Sequence, residues 1–415
     1  MSRIPDNFNV NLRFSEFDES WEYPLLDSVA IRGSGHTPSK DYPEYYDGEI
    51  DWVSLADSKS LDRGYISATK TKISEKGLAK SSAVLHPAET VILSRDAGVG
   101  KSAVMKHAMA VSQHFIAWRP IDEVSCSWFL YYWLQIQKRE FERIAIGSTI
   151  KTIGLPYFKK LRIPFPTLPE QKKIADFLTS VDERIGQLIK KKALLEDYKK
   201  GVMQQLFSQQ IRFKDDNGND FPDWEEKKLG DLCNTITKGA TPTSYGHAYQ
   251  EIGINFIKTE NINKTGFIDT ESTPKISDEC HAELKRSALQ DGDVLFSIAG
   301  TLGRTAIVRQ KDLPANINQA LGIIRLKDQT MNIFITYFLN RAEMGKWIHQ
   351  MVSVGAQPNL SLIQLNIILV SLPSVAEQKK IADFLTSVDQ KIERVSQQIA
   401  KTQTFKKGLL QQMFV

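Results

Sequence analysis

EQKKIADFLTSVD stands at Glu170–Asp182 and again, unchanged, at Glu377–Asp389, an offset of 207 residues. Thirteen identical positions in succession do not arise by chance, so the chain holds two copies of one unit. At the same offset Lys199-Lys200-Gly201 meets Lys406-Lys407-Gly408, Gln204-Gln205 meets Gln411-Gln412, and Phe207 meets Phe414. Upstream the match loosens. Leu12-Arg13-Phe14 answers Ile211-Arg212-Phe213, Trp21 answers Trp224, Thr37-Pro38 answers Thr241-Pro242, and Lys72-Ile73-Ser74 answers Lys275-Ile276-Ser277. A unit of about 200 residues is far longer than a solenoid repeat. Each copy has a variable body and a near-constant tail.

The tails read as helices. Apolar residues fall at Ile174, Leu178, Val181, Ile185 and Leu188, then, past a break at Lys192, at Leu195, Val202 and Leu206. The second tail gives Ile381, Leu385, Val388, Ile392, Val395 and Ile399, a break at Thr402, then Leu409 and Met413. Spacings alternating between three and four mark a coiled-coil seam. Prolines at the entries suit a first helical turn. Two such helices in one chain predict an antiparallel pair; the alternative is that each stripe docks on its own body. The bodies carry short strand-like runs at Asp51–Leu55, Glu89–Ser94, Asn255–Thr259 and Asp293–Ser297, and helical runs at Trp128–Gln137 and Phe334–Leu339. A mixed α/β (α+β) body with a curved, largely antiparallel sheet is expected, in two copies.

The 415 residues are 41% hydrophobic and 25% charged, as in a folded chain of two or three domains, not a disordered or collagen-like one. No apolar run is long enough to span a membrane. The opening MSRIPDNFNVNLRF lacks a secretory pattern. The three scattered cysteines, Cys126, Cys233 and Cys280, read as free thiols of a reducing cytoplasm. Formal net charge is +4. Residues 170–207 hold eight basic and six acidic side chains, and residues 377–414 hold seven and four, so the tails carry five net positive charges and the rest one net negative. The bodies therefore present no broad basic field. Any nucleic-acid surface on them is a local patch, and the basic tails are open to a protein partner.

Familiar catalytic patterns are absent. Gly100-Lys101-Ser102 resembles the end of a P-loop, but the position that needs the leading glycine is Arg95, and the second copy lacks the lysine as well. A glycine-rich turn between strands suits both copies. Pro222–Lys227 groups carboxylates with a lysine as metal nucleases do, but within one hexapeptide instead of on separate strands, and a solvated turn is expected there. The seven histidines form no ligand pair, and no nucleophile elbow or Asn-Pro-Pro-aromatic motif occurs. The chain reads as non-catalytic, with no metal and no cofactor of its own.

What remains is a set of polar loops at matching places in both copies. Arg32, Ser34, His36 and Thr37 lie in the first, answered by Lys238 and Thr241. Arg95 and Lys101 lie in the second, answered by Arg304. Gln113, beside His114, is set against Asn316, Asn318 and Gln319. Thr149 and Lys151 are set against Gln357 and Asn359. Arg, Lys, Asn and Gln are the side chains that contact base edges, and glycines let a backbone approach phosphates. These residues are candidate DNA contacts. Loop polarity is also what any surface loop shows.

Taken together, the Arg-Phe and Trp opening, the Gly-x-Thr-Pro-Ser loop at Gly35–Ser39, the glycine-rich strand turn and Gly-Ser-Thr-x-Lys resemble the specificity (S) subunit of type I restriction–modification systems. So does Ile-Pro-x-Pro-x-Leu-x-Glu-Gln-x-x-Ile at Ile163–Ile174. The likeness runs through nearly the whole chain, twice. The second copy departs from it, with Gln357 and Asn359 for Thr149 and Lys151 and one proline in place of three at Leu369–Ser374. The resemblance implies target-recognition domains at 1–165 and 210–372, and conserved helices at 166–209 and 373–415 packed as an antiparallel coiled coil with pseudo-twofold symmetry. Each domain would read one half of a bipartite, asymmetric double-stranded DNA target. The helices would set the spacer and dock two methyltransferase subunits, which use S-adenosylmethionine. Motor–nuclease subunits using ATP and Mg would complete the assembly. A coiled-coil scaffold that binds only proteins is the competing expectation.

Overall fold

The computed structural model describes residues 10–263, 265–352 and 358–414. The chain divides into two compact units, one of residues 1–190 with 396–415, the other of residues 191–395. Both units draw on both tails, which are single helices of forty residues, Leu168–Phe207 and Val375–Phe414. Among the described residues no helix is long and apolar enough to cross a membrane.

The first unit contains β1 (Ala30–Ser34), β2 (Tyr46–Val53), β3 (Tyr65–Ile66), β4 (Lys72–Ile73), β5 (Leu85–His86), β6 (Val91–Ser94), β7 (Ser102–Met105), β8 (Met109–Val111) and β9 (Phe115–Pro120). They form sheets of order β1-β9-β6-β7-β3 and β4-β2-β8-β5. Every pairing is antiparallel except β3 with β7 and β2 with β8. Strand β6 lies between β9 and β7 with all four residues buried, hence its unbroken Val-Ile-Leu run. Helix Ser127–Ile144 buries Phe129 to Leu134 in succession, apolar all round because sheet and tail helix cover different sides of it.

The second unit contains β10 (Glu225–Lys228), β11 (Cys233–Lys238), β12 (Ile254–Ile257), β13 (Lys275–Ile276), β14 (Val294–Ser297), β15 (Thr305–Ile307), β16 (Ala315–Ile317), β17 (Leu321–Leu326) and β18 (Leu369–Leu372). Its sheets are β11-β17-β14-β15, β13-β12-β16 and the ribbon β10-β18. Only β12 with β16 is parallel. The ribbon corrects one expectation: Glu225–Lys228 is an exposed strand instead of a turn, with Glu225 paired to Lys227 at 3.0 Å.

The repeated EQ dipeptide explains itself in the packing. Glu170, 1% exposed, accepts from Arg13 Nε and Nη2 at 2.7 and 2.8 Å and from Trp21 Nε1 at 3.2 Å. Glu377 does the same with Arg212 at 3.1 and 2.8 Å and Trp224 at 3.0 Å. A buried carboxylate needs a matched cation and hydrogen bonds. The following glutamines donate to Pro166 O and Pro373 O, holding each helix entry.

Within the first unit, Ile174, Leu178 and Val181 share a core with Leu409, Met413 and Phe414. Lys406 meets Asp182 and the Leu12 amide meets Gln412 O, so the two helical segments run antiparallel. Within the second unit, Ile381 and Leu385 share a core with Met203 and Leu206, and Lys199 meets Asp389, again antiparallel. Each tail stripe thus serves both purposes set against each other above: helix pairing and docking on a body. Near the end of the first tail the buried position is Met203, with Val202 half-buried.

Candidate nucleic-acid interface

Four loop segments converge in each unit through backbone bonds. In the first, the Arg95 amide donates to His114 O at 2.9 Å, the Ile153 amide donates to Arg95 O at 2.9 Å, and Thr152 bridges to Asp96 and Ile146. The His36 amide donates to Val111 O at 3.0 Å. Gly35 must be glycine for that approach, since a Cβ would lie 1.8 Å from Val111 O. Segments 35–37, 95–100, 112–114 and 146–153 are thereby adjacent.

The second unit repeats the scaffold. The Ile298 amide donates to Ala320 O and the Leu360 amide to Ile298 O, both at 2.8 Å, and Ala299 bridges to Asn359. A Cβ on Gly239 would lie 1.9 Å from Ile317 O. These bonds fix the correspondence between copies. Arg95 matches Ile298, Ser112 matches Asn318, Gln113 matches Gln319, His114 matches Ala320, and Thr152 matches Asn359. On one backbone, the first unit carries Arg95, Ser112, His114 and Thr152 where the second carries Ile298, Asn318, Ala320 and Asn359, so the donors and acceptors differ at each place while the paired glutamine stays.

The candidate side chains separate into two groups. Ser34, His36, Gln113, Thr149 and Lys151 are exposed in the first unit, and Lys238, Gln319 and Asn359 in the second. Thr37 and Thr241 are half-buried, each donating its hydroxyl to the glutamine opposite, Gln113 or Gln319. Arg95 is half-buried with its Nε sealed from solvent and without a hydrogen-bond partner among the described residues; Ser112 Oγ and Thr152 Oγ1 share that state. Four other candidates are turned to the fold. Arg32 forms an ion pair with Asp27 at 2.9 Å. Lys101 Nζ donates to Ser58 O and Oγ, both at 3.0 Å, closing the glycine-rich turn. Arg304 Nη1 donates to Thr259 O and Ile262 O at 3.1 and 2.8 Å. Asn316 is a correction: fully buried, it donates to Leu284 O and Ser287 Oγ and meets His281, so it reaches no ligand. Asn318 is half-buried, its Oδ1 accepting from the Ala320 amide. Gln357 lies outside the described residues.

Two histidines stand at this site, one in the third loop already singled out and one that escapes the sequence. His114 Nδ1 is 2.8 Å from an Asp96 carboxylate oxygen, joining two of the four segments. Beneath Gly33, buried His86 is held toward its neutral form, first by burial and then by the positive charge of Arg119. His86 belongs to no motif; only the folded backbone puts it beside the loops. Among the described residues no cluster of His, Cys, Asp and Glu suited to a metal occurs. The converging loops present hydrogen-bond donors and acceptors on a frame held by backbone bonds.

A family model described as the type I restriction modification DNA specificity domain matches residues 18–196 and 222–402. The chain is 25% identical over 308 residues to the type I restriction enzyme MjaIX specificity subunit of Methanocaldococcus jannaschii, covering 71% of this chain and 70% of that one. The putative MjaX specificity subunit of the same organism is 26% identical over 404 residues, covering 94% and 91%. In fold it is similar to the S subunit from M. genitalium, with TM-score 0.58 and 18% identity over 99% of this chain and 98% of that one. It is also similar to the HsdS subunit from Thermoanaerobacter tengcongensis, with TM-score 0.51 and 19% identity over 95% and 96%.

Proposed function

The chain belongs to the type I restriction modification DNA specificity family, and from that premise we propose that each of its units reads one half of a split, asymmetric duplex target. The observation that carries this is the pair of loop platforms, alike in backbone bonds and unlike in side chains. A fixed frame with exchanged donors and acceptors is what two readers of different half-sites require. The bodies together are almost neutral, so non-specific attraction to phosphates is weak and discrimination rests on local contacts.

The tail helices, with their surplus of lysine and arginine, serve as the docking surface for two methyltransferase subunits and set the gap between half-sites. The chain itself performs no chemistry. S-adenosylmethionine, ATP and Mg belong to the methyltransferase and motor–nuclease partners, and the assembly works in the cytoplasm. The test is adenine-methylation mapping in cells that express the chain with its methyltransferase partner. A split, asymmetric motif supports the proposal; methylation that follows no motif, or a motif unchanged when this chain is replaced, overturns it.

A further inference from the structure

One pair of side chains is the same in both units while its neighbours differ. Thr37 donates to Gln113 Oε1, and Thr241 donates to Gln319 Oε1. The pairs join the Thr-Pro loop to the segment after β8 or β16, across 76 and 78 residues of chain. Both glutamines are exposed. Beside them stand His114 in one unit and Ala320 in the other, Ser112 and Asn318, Arg95 and Ile298. The flanking backbone is pinned by Gly35 and Gly239.

The hydrogen bond decides what each glutamine offers. An amide has two donors on nitrogen and an acceptor oxygen. Reading adenine through the major groove takes the acceptor and a donor together. A threonine hydroxyl occupies one lone pair of each Oε1, so the groups left wholly unspent are the two Nε2 donors, which suit an oxygen acceptor. Two units that read unlike sequences still meet one feature in common, the sugar–phosphate backbone. Contacts to it fix orientation and register without sequence information.

We propose that Gln113 and Gln319, each steered by its threonine, donate to a phosphate oxygen of the half-site bound by their own unit. Thr37 and Thr241 are positioning residues. The inference rests on the DNA-reading function proposed above and assigns a sequence-independent clamp within it.

The decisive variant is Gln113→Glu, with Gln319→Glu for the other unit. Glutamate still accepts from the threonine hydroxyl, so the loop tie is kept, but the outward donor becomes a negative acceptor. The full chain, assembled with its methyltransferase partner, is titrated against a fluorescein-labelled duplex carrying the motif mapped in cells and one of arbitrary sequence. Melting temperatures are measured alongside. The expected result is binding about tenfold weaker to both duplexes, with their ratio and the methylation motif unchanged. Gln113→Ala weakens binding without altering the slope against salt, because a neutral amide displaces no counterion. Thr37→Val weakens both duplexes alike and Thr37→Ser restores binding. Wild-type affinity in the glutamate variants, with wild-type assembly binding normally, overturns the clamp alone. A changed motif makes the glutamine a base reader and overturns it equally. Failure of the wild-type assembly to bind either duplex overturns the DNA-reading function and the clamp with it.

Discussion

Lys406 Nζ lies 2.7 Å from Asp182 Oδ2, so a residue near the end of the second tail neutralises one in the middle of the first. Tyr132 donates to the same oxygen at 2.9 Å, and the ammonium also lies over the tyrosine ring. The second unit repeats this with Lys199, Asp389 and Tyr337. Each triad joins a body, its own tail and the opposite tail in a single cluster.

Lys406→Met therefore lowers stability by about 1 kcal/mol, since the pair is only partly shielded from water. Asp182→Ala costs more, because both lysine and tyrosine lose their acceptor. Denaturant unfolding of the two single variants and the double variant gives the coupling, and a coupling near zero removes the triad as a stabilising element.

Removing the cation beside a buried carboxylate is more damaging. Arg13→Ala leaves Glu170 charged and nearly sealed from water, at an expected cost of about 3 kcal/mol or more, and Arg212→Ala acts alike on Glu377. Calorimetry should show a loss several times that of Lys406→Met.

Gly239→Ala places a methyl against Ile317 O and displaces the Thr241 loop. Methylation mapping should show only the half-site of the second unit weakened or relaxed. Gly35→Ala does the same to the other half. Equal damage to both half-sites from either variant contradicts one unit per half.

Exchange of residues 1–165 for the corresponding body of another family member should change one half of the methylated motif and leave the other intact. Both halves changing together would show that the units are not independent readers.

Alkaline pH provides a separate test of the packing. Burial pushes the phenols of Tyr132 and Tyr337 well above their ordinary value, and that of Tyr23 up to about 12. An unfolded phenol releases its proton near pH 10. Their contribution is thus whole below about pH 10 and is lost as pH rises toward the folded values, because only the unfolded state gives up protons in that window. Melting temperatures measured from about pH 8 to 11 should fall steeply, and Tyr132→Phe should flatten that limb.

The repeat, the helical tails and the location of the four loops are legible from the sequence because each leaves a local pattern or a duplicate. The direction of individual side chains is not. Lys101 and Arg304 sit in loops that look ready for phosphate, yet both close turns by donating to backbone carbonyls. The sequence sets Gln113 against Asn316, Asn318 and Gln319 without choosing among them; the backbone contacts of Gly35 and Gly239 make Gln319 its counterpart and leave Asn316 in the core. Apolar spacing finds a helix seam but does not say which body each stretch of it covers.

The first unit is assembled from stretches of chain translated before and after the whole second body. Phe414 packs against Trp21 and Phe129, with ring centroids 6.5 and 5.0 Å apart, and Leu409 and Met413 close the same core. The nascent first body must therefore wait with that apolar face uncovered while the whole second body is translated. The second unit, built from 191–395, has all its parts earlier. Trimming the final turns of the second tail, or a stop codon there, strikes the body encoded first.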